Sequence, residues 1–144
     1  MMTASKYLQE GPIPSNWVSE EISGHQSKTQ SGAHAIFLGQ VRADAHDGRT
    51  VTGIEYSAYD AMIDPVIREI KDELFTGFSD LACLHIRHST GLVPCGAISL
   101  VVMVSSGHRK QSFAALERCV ELIKEKLPVW KKELFSDGTS RWIQ

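Results

Sequence analysis

The stretch 98–128, ISLVVMVSSGHRKQSFAALERCVELIKEKLP, decides the fold because it joins an apolar strand directly to an amphipathic helix. Residues 98–104 form a nearly continuous apolar run, which is typical of a buried strand. Apolar side chains then recur at a 3-4 spacing at Phe113, Leu116, Val120, Ile123 and Leu127. This spacing predicts a helix that begins near Gln111 and turns one stripe to a core, and Pro128 ends it.

The turn Ser105-Ser106-Gly107-His108-Arg109 between that strand and that helix allows two interpretations. A helix N-terminus binds anions through free N–H groups and its dipole, and His108 and Arg109 would add side-chain donors for a phosphate or carboxylate. Alternatively, Ser105 or Ser106 simply caps the helix while both basic side chains are solvated.

Two lysines near the far end of the helix are candidate proton-transfer groups. At about 100° per residue, Lys124 projects onto the edge of the apolar stripe, so we expect it to be half-buried. Beyond Pro128, period-2 alternation allows Lys131 to share a face with Lys124. Burial would lower the pKa of a lysine and suit it to proton exchange, whereas an ammonium group that extends into water would have no such role.

The remaining pattern predicts an α+β fold in the order ββαββα with antiparallel strands. Strand-like residues 33–42 and 50–59 flank the turn signal Asp47-Gly48 and are expected to form a hairpin. A helix with an apolar face over 62–74 follows, and then strands over 81–88 and 97–104. Residues 1–31 are expected to form a leader, with a short helix at 15–22, ahead of a catalytic domain at 32–144.

Composition excludes several classes of protein. The chain has 144 residues, enough for one domain, and its net charge of −2 argues against nucleic-acid binding, which needs a basic face. No apolar run predicts a membrane span or a signal peptide. Three cysteines without a CxxC pair, and histidines without ligand spacing (His34, His46, His85 and His88), predict no disulfide, no metal and no cofactor in a reducing cytoplasm.

Four separated blocks of sequence resemble one family. The first is Gly32-Ala33 with the strand end Phe37-Leu38-Gly39-Gln40-Val41-Arg42, and the second is the turn 105–109. The others are Leu122-Ile123-Lys124 and Pro128-Val129-Trp130-Lys131-Lys132-Glu133. In this order, over residues 32–142, they resemble the large, catalytic subunit of molybdopterin synthase.

That resemblance implies an α/β-hammerhead-like fold with a small additional antiparallel subdomain, in a homodimer within a heterotetramer. The implied reaction moves sulfur from the thiocarboxylated C-terminal Gly-Gly tail of a small ubiquitin-like subunit to cyclic pyranopterin monophosphate, forming the dithiolene of molybdopterin. It implies Lys124 and Lys131 as the catalytic pair. The substrate-binding residues would be Arg42, His108, Arg109 and Phe37, although Phe37 could equally be a plain core aromatic.

The sequence departs from that family at two places. His88-Ser89-Thr90-Gly91 stands where related chains read His-Arg-apolar-Gly, and the sequence ends at Gln144 where relatives continue. Relatives contribute a basic residue to the dimer partner's pocket from that extension, and Arg141 is a candidate replacement. The alternative function is a non-catalytic phosphate- or partner-binding module, which would bind without turnover.

Overall fold

A computed structural model describes residues 5–143 as a mixed α+β fold. The predicted order ββαββα is confirmed, with further short elements around it. In chain order the elements are β1 (Leu8–Glu10), α1 (Ser15–Gly24), β2 (Ala33–Gln40), β3 (Ala45–His46), β4 (Arg49–Ala58), α2 (Asp60–Gly77), β5 (Leu81–Pro94), β6 (Ile98–Ser106), α3 (Arg109–Lys126), β7 (Val129–Phe135) and β8 (Ser140–Ile143).

A bent central strand joins two parts of one sheet. The strands follow the spatial order β2-β6-β5-β4-β7-β8, with each neighbouring pair antiparallel. The first part of β5, residues 81–88, pairs with β6, whereas residues 91–94 pair with β4. Gly91 lies between them with a φ of 75°, a conformation that glycine adopts without a steric cost. The bend leaves a concave junction between the two parts.

The expected hairpin between residues 33–42 and 50–59 is wrong. Strand β2 pairs with β6, and β4 pairs with β5 and β7. Only β3 forms a hairpin with the start of β4, around Asp47 and Gly48, which both have positive φ as a type I′ turn requires. The turn signal was therefore correct, but residues 41–44 separate β2 from the turn and let it pair with a distant strand.

Helix α3 packs on the sheet through most of the predicted stripe, since Ile123 and Leu127 are buried and Leu116 and Val120 pack against the core, but the stripe is shifted at the start of the helix. Its buried residues are Ser112, Ala115, Cys119, Leu122 and Ile123. Phe113, which the 3-4 spacing placed at the core, is 62% exposed, and Lys124 is exposed rather than half-buried. Small side chains allow the helix backbone to approach the strands closely, and the buried Ser112 hydroxyl is satisfied by donating to the Ala33 carbonyl at 3.2 Å.

The predicted second helix and the N-terminal segment complete the packing. Helix α2 buries Ile63, Ile67, Ile70 and Leu74 against α3 and the sheet. The N-terminal segment adds β1 in parallel to β5, and Arg87 fastens it by donating to the Lys6 carbonyl at 2.7 Å and to the Gln9 side chain at 2.9 Å. Among the helices within residues 5–143, none is both long enough and apolar enough to cross a bilayer.

Candidate functional site

A cavity of about 730 Å³ occupies the concave junction of the sheet. The end of β2 and the segment after it form one wall, the C-terminal end of α3 forms another, and β4, β7 and β8 form the third. Five of the seven residues predicted for the site line this cavity: Phe37, Arg42, Lys124, Lys131 and Arg141. The cavity therefore gathers residues that are up to 104 positions apart in sequence.

The two lysines lie in different environments within this cavity. Lys124 is exposed on the last turn of α3, whereas Lys131 on β7 is half-buried and stands opposite Tyr56 of β4. Burial lowers the pKa of Lys131, and the nearby charge of Lys124 lowers it further. The Lys131 ammonium group is thus easier to deprotonate than that of an ordinary lysine.

Positive charge exceeds negative charge in the cavity lining. Two cations are neutralised locally: Arg42 pairs with Asp44 at 2.6 Å, and Arg141 pairs with Glu133 at 2.7 Å. Within the described part of the chain, Lys124 and Lys131 form no ion pair. In a chain of net charge −2, this local excess favours an anionic ligand.

Phe37 lies at the boundary between the cavity and the main apolar core. Its half-buried ring lines the cavity and also packs against the main apolar core. Gly39, two residues further along β2, keeps the space beside the ring open, since a Cβ there would come within 3.2 Å of Phe37 and 3.3 Å of Leu100. The ring therefore presents one apolar face to whatever occupies the cavity.

Sequence reasoning missed two buried polar groups in the cavity wall. His88 is only 6% exposed, and burial lowers its pKa to about 4. Its Nδ1 donates to the Ser89 carbonyl at 2.8 Å, which leaves a neutral ring with a free Nε2 acceptor. Tyr56 donates to Ser99 at 2.9 Å, and burial raises the pKa of its phenol. In the sequence His88 has no ligand spacing, and the period-2 position of Tyr56 on its strand is the only signal that could have indicated that residue.

One group of possible metal ligands also borders the cavity. Asp44, His46 and Glu133 each place a ligand atom within 4.8 Å of the other two. Both carboxylates already accept from arginines, however, and His46 Nε2 lies 3.6 Å from Glu133. The group is better described as a charge network that holds Arg42 and Arg141 at the rim.

His108 and Arg109 do not join the other predicted residues within one chain. They line a separate pocket at the start of α3, with Gly32, Lys110 and Phe113. The N–H of His108, the residue just before α3, donates to the Asp80 carboxylate at 2.7 Å, so an internal anion already lies at this helix end. The His108 ring is 90% exposed and lies 3.2 Å from the same carboxylate.

The sequence is similar to proteins of one family. The sequence profile of the family described as MoaE protein matches residues 8–126. Molybdopterin synthase catalytic subunit 1 of Aedes aegypti is 39% identical over 85% of this chain and 79% of its own length. The molybdopterin synthase catalytic subunit of Dictyostelium discoideum is 37% identical over 81% of this chain and 74% of its own.

Solved structures give the same result at the level of the fold. Molybdopterin synthase from Staphylococcus aureus superimposes with a TM-score of 0.84 at 31% identity and covers 96% of both chains. The complex of subunits 1 and 2 of molybdopterin-converting factor from Helicobacter pylori gives a TM-score of 0.77 over 95% of this chain and 88% of that one. At 20% identity, the second match shows a shared fold only.

Proposed function

The chain belongs to the MoaE protein family, and on that premise we propose that it is the catalytic subunit of a molybdopterin synthase. It would transfer sulfur from the thiocarboxylated C-terminus of a small ubiquitin-like subunit to cyclic pyranopterin monophosphate. The observation that carries the proposal is the cationic cavity with a half-buried lysine beside an exposed one. Both reactants are anions, one a thiocarboxylate and the other a phosphate, and the cavity suits both.

Each transfer replaces one oxygen substituent of the pterin by sulfur. The thiocarboxylate sulfur forms a bond to the pterin carbon, and the oxygen leaves that carbon with a proton. Water then cleaves the acyl–sulfur bond, so that sulfur stays on the pterin and the tail ends as a carboxylate. Two such transfers form the dithiolene, so each product consumes two thiocarboxylate tails.

We assign the proton transfer to Lys131 and the charge stabilisation to Lys124. Lys131 combines partial burial with a lowered pKa, which brings its proton affinity closer to what donation to a leaving oxygen requires. Lys124 is exposed at the rim, where a fixed positive charge stabilises the negative charge that develops on the thiocarboxylate carbonyl. Lys124 also maintains the lowered pKa of Lys131, so the two act as a pair.

Arg42 and Phe37 would position the pterin. The Arg42 guanidinium is held bidentately by Asp44, at 2.6 and 3.2 Å, and extends to the cavity rim where it can contact the substrate phosphate. Phe37 offers an apolar face to the fused rings. Arg141 lines the same cavity in its own chain, held by Glu133, and would add a further phosphate contact.

His108 and Arg109 would complete the site through a second copy of the chain. Helix α3 has 18 residues and is therefore about 27 Å long, so its two ends cannot contact one small ligand. In the homodimer that the family resemblance implies, the start of α3 in one copy can approach the cavity of the other. The separation of the two pockets within one chain supports this arrangement.

The proposed partner is a small sulfur-carrier subunit, as in the Helicobacter pylori complex of two subunits. A tail that ends in two glycines is suited to entering the cavity, because residues without side chains bring the least bulk against its walls. Free thiols at Cys83, Cys95 and Cys119 accord with a cytoplasmic location, which we also propose. The subunits would then assemble as a heterotetramer around the homodimer.

A reconstituted assay tests the proposal against the binding-only alternative. The purified chain is mixed with thiocarboxylated carrier and cyclic pyranopterin monophosphate, and the dithiolene product is measured. We expect product only when all three components are present. Binding of both ligands without product would instead establish the non-catalytic module.

A second assay tests the position of the tail. A carrier lengthened by one residue beyond its two glycines should still bind, but its reactive carbon would be displaced by about 3.5 Å. Such a displacement should abolish transfer. Transfer at the normal rate from this carrier would contradict a tail held inside the cavity.

A further inference from the structure

A second cluster of reactive side chains lies outside the catalytic cavity, between the end of α1 and strand β5. His25 is buried directly after α1, and Cys83 and His85 are two residues apart on β5, so they point to the same side of the sheet. One ligand atom from each of the three residues lies within 4.8 Å of the other two. None of them lines the cavity at the junction.

Contacts of the Nδ1 atoms fix the orientation of the two imidazole rings. His25 Nδ1 contacts the Glu21 carbonyl oxygen at 2.5 Å, and since a carbonyl can only accept, the hydrogen is on Nδ1 and the Nε2 lone pair is free. His85 Nδ1 lies 3.5 Å from the Glu21 carboxylate, which favours the same tautomer. A histidine that binds a metal through one ring nitrogen usually donates its other N–H to a backbone carbonyl or a carboxylate.

The two free nitrogens face each other. His25 Nε2 and His85 Nε2 are 3.0 Å apart, so two lone pairs would repel unless a proton or a cation lies between them. Two nitrogen ligands of a tetrahedral zinc ion stand roughly 3.3 Å apart, given bonds of about 2.0 Å. The observed spacing is therefore close to that of a formed pair of ligands.

We propose that His25, Cys83 and His85 form a binding site for one Zn²⁺ ion, which connects the end of α1 to the outer face of the sheet. Two imidazoles and one thiolate are a typical ligand set for zinc, and the fourth position remains for water. Because the ligands come from the N-terminal segment and from a central strand, binding should stabilise the attachment of that segment.

Some of the charges near this site oppose a bound cation, and one favours it. Lys28 donates to Cys83 Sγ at 3.1 Å, and Lys71 also lies close enough to affect His85, so both ammonium groups oppose a bound cation. The Glu21 carboxylate favours it. Lys28 is exposed and its long side chain can move into solvent when the thiolate binds a metal.

Zinc and cobalt titrations of the tag-free, chelator-treated full chain test the proposal. We expect one Zn²⁺ per chain by competition with a chromophoric chelator. Co²⁺ should give the intense near-ultraviolet charge-transfer absorption of a cobalt–thiolate bond. Zinc should also raise the melting temperature of the full chain, by an amount that grows with the logarithm of the free metal concentration above the Kd.

Matched variants separate this cluster from other metal-binding groups. Cys83→Ser should abolish the charge-transfer absorption, and Cys83→Ser and His85→Gln should each weaken zinc affinity at least about 10-fold. Cys95→Ser removes a thiol elsewhere, and His46→Gln removes the histidine at the cavity, so both should leave affinity unchanged. Lys28→Gln should strengthen binding, because it removes an opposing charge.

Several results would overturn the inference, provided that circular dichroism shows each variant to be folded. One is the absence of stoichiometric binding by the natural sequence, which would leave the cluster as a hydrogen-bonded pair of histidines. Others are an unchanged cobalt spectrum in Cys83→Ser, or loss of binding in His46→Gln alone. These measurements report metal binding directly and do not depend on sulfur transfer.

Discussion

The two ends of helix α3 carry similar basic residues in opposite electrostatic settings. At the C-terminal end, Lys124 joins Lys131 in a cavity where neither forms an ion pair within the described residues. At the N-terminal end, Asp80 already accepts from the His108 backbone, and the His108 ring is almost fully exposed. One end is thus prepared for an anion, while the other is partly neutralised.

This difference shows why residue type alone does not identify a reactive group. Solvent screens the exposed His108 and Arg109, so their contribution to binding a phosphate should be modest. Lys131 is half-buried, and its pKa responds to both burial and a neighbouring charge. If the comparison holds, changes at the cavity end should affect chemistry, and changes at the other end should affect binding.

Lys124→Ala and Lys131→Ala should cause the largest effects. Each should reduce the rate of dithiolene formation by about 100-fold or more, because each removes a charge or a proton that the transition state requires. Single-turnover assays with saturating carrier and pterin measure this. Lys126→Ala and Lys132→Ala are the matched controls, since these lysines pair with Glu69 and Glu55 on other faces. Near-normal rates in Lys124→Ala and Lys131→Ala would contradict a catalytic role for these two lysines.

The same pair predicts a coupled titration. Lys124→Gln removes one of the two causes that lower the pKa of Lys131, so that pKa should rise. Nuclear magnetic resonance of the Lys131 side chain over a pH series measures the change. An unchanged or lower pKa would show that the two ammonium groups do not interact.

His88 should give the largest effect on stability. Its pKa falls from 6.5 to about 4 on folding, so the unfolded chain takes up the proton first as the pH drops. The stabilisation is complete above pH 6.5 and should be lost between pH 6.5 and 4, by about 3 kcal/mol. Urea unfolding across this range should show that the free energy of unfolding depends less on pH in His88→Gln than in the natural sequence. The exposed His108→Gln is the control. Equal slopes in His88→Gln and the natural sequence would contradict the buried neutral ring.

His108→Ala and Arg109→Ala should each raise the KM for the pterin by about tenfold, with a smaller change in kcat, because they act on phosphate binding. Rates measured against pterin concentration separate the two constants. A loss confined to kcat would place these residues in the chemical step and remove the contrast between the two ends.

Mixed dimers extend this prediction to the second copy. One copy carries Lys124→Ala and the other carries His108→Ala with Arg109→Ala, and the two are refolded together. If the site is shared between copies, random mixing restores one complete site in half of the dimers, or about a quarter of normal activity at pterin concentrations well below the KM, where each parent variant alone is nearly inactive. No recovery would mean that each site is built from a single chain.

Asp80→Ala should have the smallest effect. It removes the carboxylate that accepts from the N–H of His108 just before α3, so the free energy of unfolding should fall by about 1 kcal/mol. Asp80→Asn keeps an acceptor and should lose less, as measured by urea denaturation. A change in catalytic rate larger than that in stability would show that Asp80 shapes the catalytic site.

The sequence by itself predicted the element types and several of the residues that line the cavity. Period and turn signals predicted α2, β5, β6 and α3, because short-range patterns report local conformation and one buried face. The spaced motifs predicted Phe37, Arg42, Lys124 and Lys131, which line one cavity, and Arg141, the candidate replacement for a partner-pocket residue, lines the same cavity in its own chain. The family match covers residues 8–126, a range that includes Phe37, Arg42 and Lys124.

Tertiary structure alone decided pairing, burial and convergence. The partner of β2 is β6, some 60 residues away, and the buried stripe of α3 runs through Ser112 and Ala115 because small side chains allow close packing. His25 and His85 come into contact only in the folded chain, and their separation in the sequence does not predict this contact. Such contacts depend on the path of the whole chain through space, which local periodicity does not encode.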